Sequence, residues 1–135
     1  MQKTHQQYIT EAWSNWGRPG LTRQQRSLLN IGILMTLNRS TELRVHIRGA
    51  VRNGLSEEEI TEAIVHTMMY SGVPTGVEAS KVAAGVIKEM KESGEFDEAK
   101  KKHAGQGQEV GKETADARKK AGQSQDGGEE AVLAS

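Results

Sequence analysis

Glu42, His46, Gly49 and Asn53 fall on one stripe of a helix predicted over STELRVHIRGAVRN, because positions three and four apart return to the same side at about 100° per residue. A carboxylate one turn from an imidazole, beside a glycine that leaves space, fits the wall of a small-molecule site. The same spacing also describes an ordinary Glu/His contact on a helix surface, and spacing alone leaves both readings open. His66 and Tyr70 stand one turn apart on a second predicted helix, on the flank of its apolar stripe, with Glu62 one turn before. Half-burial there demands partners for their polar ends, and a satisfied core-edge histidine is the commoner outcome. Two histidines on separate helices are too few for a metal centre, and none is expected.

The elements that must position these residues are read from their periodicity and their punctuation. Tyr8, Ile9, Ala12, Trp13 and Trp16 recur at helical spacing until Gly17-Arg18-Pro19-Gly20 ends the pattern. Thr22-x-x-Gln25 is a capping box that opens a second helix, RSLLNIGILMTL, apolar on nearly every face and so expected to be covered on more than one side, the second cover being another subunit. Ser40 or Thr41 is expected to cap the third helix, which stops at Gly54. Its core face is Leu43, Ile47, Ala50 and Val51, while Arg44, Arg48 and Arg52 make a separate ridge. Ser56-x-x-Glu59 caps a fourth helix with Ile60, Ala63, Ile64, Thr67 and Met68 inward. After a break at Ser71-Gly72-Val73-Pro74, Thr75-x-x-Glu78 is expected to cap a fifth helix carrying Val77, Val82, Val86, Ile87 and Met90. No segment alternates with strand period, so the fold class is all-α, a small bundle of about five helices.

Composition removes whole classes of function. The chain has 135 residues and no cysteine, which excludes disulfides, thiolate nucleophiles and Cys-ligated zinc. Its 18 basic and 18 acidic residues cancel, so no net field points to nucleic acid or a membrane surface. The longest apolar run, Ile31 to Met35, is far short of the roughly 18 residues of a membrane span. The opening MQKTHQQYITEAW lacks the apolar core of a signal peptide, so a soluble cytoplasmic protein is expected. After Phe96 the large apolar side chains are Val110, Val132 and Leu133 alone, too few to offset the cost of ordering the backbone. The expected organisation is therefore a helical domain over 1–96 and a polar, disordered tail over 97–135.

From Trp13 to about Val82 the residues also match in order: Trp16-Gly17-Arg18-Pro19-Gly20-Leu21, Arg26-Ser27-Leu28, Leu37-Asn38-Arg39, Glu42-Leu43-Arg44-x-His46-x-Arg48-Gly49-Ala50, Asn53-Gly54, Glu58-Glu59-Ile60, Glu62, His66 and Tyr70-x-Gly72-Val73-Pro74 with Glu78-Ala79. This series resembles the carboxymuconolactone decarboxylase family, within the alkylhydroperoxidase D-like superfamily. The resemblance implies a helical bundle in a ring-like homo-oligomer, a trimer or hexamer. Thiol peroxidases of the same superfamily carry a C-x-x-C pair before the histidine and a glutamate upstream. Here Arg39 and Glu42 occupy the cysteine positions and Ser27 that of the glutamate, so disulfide chemistry is impossible and the decarboxylase branch is the match.

The substrate which that branch implies is 4-carboxymuconolactone, converted to 3-oxoadipate enol-lactone in aromatic catabolism. Loss of CO2 from its ring carbon sends the electron pair through the ring double bond to the lactone carbonyl, so no cofactor is needed as electron sink. The protein must place a donor on that carbonyl, an acid at the α-carbon, and a cation on the spectator carboxylate. Their single stripe beside Gly49 suits His46 to act as carbonyl donor or proton source and Glu42 as its orienting partner or the alternate acid. His66 and Tyr70 then line the opposite wall, and Arg39, followed by Arg26 and Arg18, holds the carboxylate. Arg48 points roughly 160° from His46 on a helix and is expected in a structural ion pair or at a neighbouring subunit. Two other readings stay open: a decarboxylase-like enzyme on another lactone or β-keto acid, and a non-catalytic oligomeric ligand-binding protein on the same fold.

Overall fold

The computed structural model describes residues 2–104. The chain divides into two units at Lys100/Lys101; residues 101–104 are the described part of the second, and the fold below is that of the first. The elements are α1 (His5–Ser14), a 3-10 turn (Asn15–Gly17), α2 (Arg23–Thr36), α3 (Ser40–Arg52), α4 (Glu57–Ser71), α5 (Val73–Ser93) and α6 (Glu95–Lys102). No strand occurs among the described residues, as an all-α chain requires. No described helix is long and apolar enough to cross a membrane. The tail expected over 97–135 lies, beyond residue 104, outside the described residues.

Local chemistry sets most of these boundaries. Thr22 and Gln25 form the reciprocal box, the Gln25 backbone N–H donating to Thr22 Oγ1 at 3.1 Å while the Thr22 N–H donates to Gln25 Oε1 at 2.9 Å. Ser56 and Glu59 do the same at the start of α4, and Thr4 with Gln7 adds a third box at α1. Gly54 takes a φ of +98° just after α3, a conformation that a side chain resists. Two boundaries differ from expectation. Ser40 is the first helical residue of α3 and its cap is Arg39, with no side-chain hydrogen bond. The fifth helix begins at Val73, not after Thr75, because Gly72 alone turns the chain at φ +100° and Pro74 fits the first turn, where no N–H is required of it. Thr75 Oγ1 accordingly donates back to the Ser71 carbonyl at 3.3 Å.

Helices α2 to α5 pack on one another and enclose the core: Ile31 and Met35 from α2, Leu43, Ile47, Ala50 and Val51 from α3, Ile60 and Ile64 from α4, and Ala79, Ala83, Val86, Ile87 and Met90 from α5. The helices approach closely where side chains are small. A Cβ at Gly76 would overlap Met68, and one at Gly32 would press on Thr67 Oγ1 at 3.2 Å. Helix α6 crosses the compositional boundary after Phe96, and its Ala99 is buried with the core. The second cover expected over α2 is not supplied by the described residues: Leu29, Ile33 and Leu37 are more than half exposed along its outer side. Helix α1 has no buried residue and packs on the 3-10 turn.

Candidate functional site

The antiparallel pair α2 and α3 is joined by two polar rungs. Asn53 Nδ2 donates to Ser27 Oγ at 3.0 Å, and Asn30 Nδ2 lies 3.4 Å from His46 Nδ1. Arg23, Ser27 and Asn30 share one stripe of α2 at i, i+4 and i+7, and it meets the His46, Gly49 and Asn53 stripe of α3. Ser27 is 2% exposed, so its hydroxyl depends on Asn53 for a partner outside its own helix.

A groove of about 700 Å³ opens over the outer side of α3. Trp13 and Trp16 form its roof, Arg23 and Ser27 one wall, His46, Gly49 and Asn53 its floor, and the Arg44, Arg48 and Arg52 ridge its far side. The Trp16 ring stacks over His46 with centroids 6.4 Å apart and planes inclined by 19°, and Trp13 continues the stack at 6.3 Å. A Cβ at Gly49 would meet nothing within 4 Å, so the space beside the imidazole is open. Half-buried under the indole, His46 loses hydration of its charged form, which lowers its pKa from the ordinary 6.5 and favours the neutral ring.

The guanidinium groups differ in what they face. Arg44 Nη2 pairs with Glu89 at 2.7 Å, Arg48 Nη2 with the same carboxylate at 3.1 Å, and Arg48 and Arg52 both pair with Glu95. The hydrogen bond from Arg44, with the charges of Arg44 and Arg48, holds the Glu89 carboxyl below the usual carboxylate range. Arg48 thus sits in a structural ion pair, one of the two places its helical angle allowed. Arg23 has no carboxylate partner among the described residues, and it lies in the first turn of α2, where the helix end adds positive potential.

The residues singled out in the sequence are only partly brought together. His46 lines the groove, whereas Glu42 is exposed and makes no side-chain hydrogen bond or ion pair among the described residues. The neighbour that contacts His46 Nδ1 is Asn30, one turn past Arg26 on α2. Arg26 donates through Nη2 to the Arg18 carbonyl at 3.0 Å, and both residues stand outside the groove lining. Arg39 lies beside Asn38, Thr75 and Glu78 in a separate small crevice. His66 and Tyr70 contact each other, with ring centroids 5.3 Å apart, but they are exposed, not half-buried, and do not line the groove; Tyr70 is 83% exposed. The helical angle that placed them at the edge of the α4 stripe holds, but no helix among the described residues covers that edge. Asn30 and Arg23 were missed because each acquires its meaning across the α2/α3 contact; their i, i+7 spacing with Ser27 was the available signal. Among the described residues no three His, Asp or Glu side chains cluster as metal ligands would.

Comparison with known proteins adds relatives to this geometry. The family model described as the carboxymuconolactone decarboxylase family matches residues 3–85. The chain is 45% identical over 93 residues to a nitrosuccinic acid decarboxylase of Metarhizium robertsii, covering 67% of this chain and 65% of that protein. It is 41% identical over 80 residues to a 4-carboxymuconolactone decarboxylase of Acinetobacter baylyi, covering 58% of this chain and 60% of the relative. The chain therefore spans somewhat less than two thirds of the length of these two curated relatives. An uncharacterized 15.0 kDa protein of Paracoccus denitrificans is 33% identical over 88 residues, 62% of this chain and 66% of that protein. No solved structure matches significantly.

Proposed function

Because the chain belongs to the carboxymuconolactone decarboxylase family, we propose that it removes CO2 from a small dicarboxylate whose leaving carboxylate sits on a carbon conjugated to an oxygen acceptor. 4-Carboxymuconolactone is the first candidate substrate. Nitrosuccinate, named for the fungal relative, poses the same chemical problem. In the lactone the electron pair released with CO2 passes through the ring double bond to the carbonyl oxygen, and in nitrosuccinate it passes to the nitro group. A proton then replaces CO2 in the product, on the α-carbon of the lactone or on the nitro-bearing carbon. Each substrate keeps a second carboxylate that takes no part in bond breaking.

The observation that carries this reading is a neutral-favouring imidazole, His46, stacked under Trp16 and opening on the same groove as the Arg23 guanidinium, which has no carboxylate partner among the described residues. His46 hydrogen-bonds the acceptor oxygen as charge builds on it, a role suited to an uncharged donor in a partly dehydrated site. Arg23 holds the spectator carboxylate, the role first assigned to Arg39, because it lines the groove and Arg39 does not. The indoles cover the leaving carboxylate with apolar surface, and CO2 carries away less charge than the carboxylate brought. Glu42 serves as a proton source only after its side chain turns along α3, since it starts without a bond to His46.

We also propose self-association into a trimer or hexamer. The motive is the exposed apolar series Leu29, Ile33 and Leu37 on α2 with Met69, Tyr70 and Val73 at the end of α4 and the start of α5. His66 and Tyr70 take part in a groove only if that assembly carries them to a neighbouring subunit's His46. Light scattering after size exclusion reads the subunit number directly, and a monomer at micromolar concentration contradicts the proposal.

The activity is tested by incubating the protein with 4-carboxymuconolactone, and separately with nitrosuccinate, while following loss of ultraviolet absorbance and release of CO2. Turnover of either is expected, and His46→Ala should abolish it while the helical content and assembly persist. A His46→Ala protein within about twofold of the parent refutes the assignment. If neither compound turns over but one raises the melting temperature, the groove is a binding site without this chemistry.

A further inference from the structure

The contact between Asn30 and His46 bears on which ring nitrogen carries the proton. A neutral imidazole has one N–H, and a neighbour that donates to one nitrogen leaves the hydrogen on the other. The amide nitrogen of Asn30 points at Nδ1 from 3.4 Å. In that arrangement Nδ1 accepts, and Nε2, the other ring nitrogen, carries the proton. The position of Asn30 is not left to its own side chain. The buried rung from Asn53 to Ser27 bolts α3 to α2, with Ile31 and Ile47 packed in the core just beyond the polar ladder, so the register of the two helices presents Asn30 to His46. From above, the Trp16 indole limits tilting of the imidazole.

Resting on the reading of His46 as the donor to the acceptor oxygen, we propose that Asn30 is a positioning residue that holds His46 as its Nε2–H tautomer. The opposite tautomer would turn a lone pair toward an oxygen that is gaining negative charge, and the interaction would change sign. Asn30 touches no substrate; it acts through the proton it assigns. The proposal adds no covalent step to the decarboxylation.

The test reads the tautomer without any substrate. Nitrogen-15 NMR of the full chain near pH 8.5 should show His46 with a protonated Nε2 and a bare Nδ1. Asn30→Asp keeps the size of the side chain but offers only acceptors, so the proton should move to Nδ1. In the activity assay that variant should lose kcat by about 100-fold, the scale of removing one oxyanion donor, with KM within about twofold. Asn30→Ser, too short to reach the ring, should give a mixture of tautomers and an intermediate kcat, and it serves where the aspartate variant fails to fold. A parent protein with the proton on Nδ1 overturns the proposal, as does an Asn30→Asp protein whose His46 spectrum is unchanged. If the tautomers behave as stated but no substrate turns over, the decarboxylase reading fails and the positioning stands. If turnover is found with an indifferent tautomer, the reverse holds.

Discussion

Replacing Arg23 with Met is the sharpest test of the proposal that the groove holds a carboxylate there. The residue occupies the first turn of α2 on the groove wall, exposed, with no carboxylate partner among the described residues. Its charge is thus available to a ligand, unlike those of Arg44 and Arg48, which are engaged in ion pairs with Glu89. A hydrogen bond to a charged group contributes about 1.5–3 kcal/mol, and each 1.4 kcal/mol is about tenfold. Arg23→Met should therefore lower kcat/KM about 10- to 150-fold, toward the smaller figure because the site is open to water and salt. The spectator carboxylate is held alike before and during bond breaking, so the loss should fall on KM and leave kcat nearly intact. Methionine retains the apolar stem, and an exposed substitution of this kind costs within about 0.5 kcal/mol of stability. Steady-state rates on 4-carboxymuconolactone at low and high salt, with Arg39→Met as the comparison, supply the measurement. Arg23→Lys should recover part of the affinity by charge without the planar fork. An Arg23→Met protein within twofold of the parent, or an Arg39→Met protein with the larger rise in KM, refutes Arg23 as the holder of the spectator carboxylate.

Trp16→Ala should open His46 to water and move its pKa back toward 6.5, so the acid limb of the rate profile should shift upward relative to the parent; an unmoved limb contradicts desolvation as the cause. The same depressed pKa makes the unfolded chain bind more protons as acid is added. The stability that His46 contributes is complete above 6.5 and is lost as pH falls through its lowered folded value, which denaturant titrations of parent and His46→Ala proteins read as a difference in slope. Asn53→Ala strands the buried Ser27 hydroxyl and should cost about 1–3 kcal/mol, whereas adding Ser27→Ala should return part of that loss. Strict additivity in thermal melts of the single and double variants would argue against the rung.

What could be read before the fold was known follows from the reach of each signal. The boxes at Thr22/Gln25 and Ser56/Glu59, the stop at Gly54 and the core face of α3 rest on contacts within a turn or two, so spacing suffices to find them. The start of α5 was misplaced because two plausible caps competed, and the backbone of Gly72 prevailed over the hydroxyl of Thr75. Helix α6 went unread since its eight residues are mostly charged, and Ala99 gives little hint of burial. In the site, the stripe through His46, Gly49 and Asn53 was legible from α3 alone. Which residues of α2 face it was not, because the choice of Asn30 and Arg23 over Arg26 depends on how two helices rotate against each other. The placing of His66 and Tyr70 in the same pocket rested on resemblance, and the single chain leaves both in the open.

Helix α1 contributes none of the buried core, yet the segment it begins ends in the two indoles that roof the groove. If the groove is the site proposed above, foldability and ligand preference are inherited through different stretches of sequence. Residues 5–16 are free to diverge, or to be exchanged with those of a relative, without drawing on the packing of α2 to α5, and each exchange presents a new ceiling to the same imidazole. A lineage built this way explores substrates at its edge while its interior stays under separate constraint. Relatives that keep the α2/α3 ladder and vary the roof are where a change of substrate on this scaffold should first be sought.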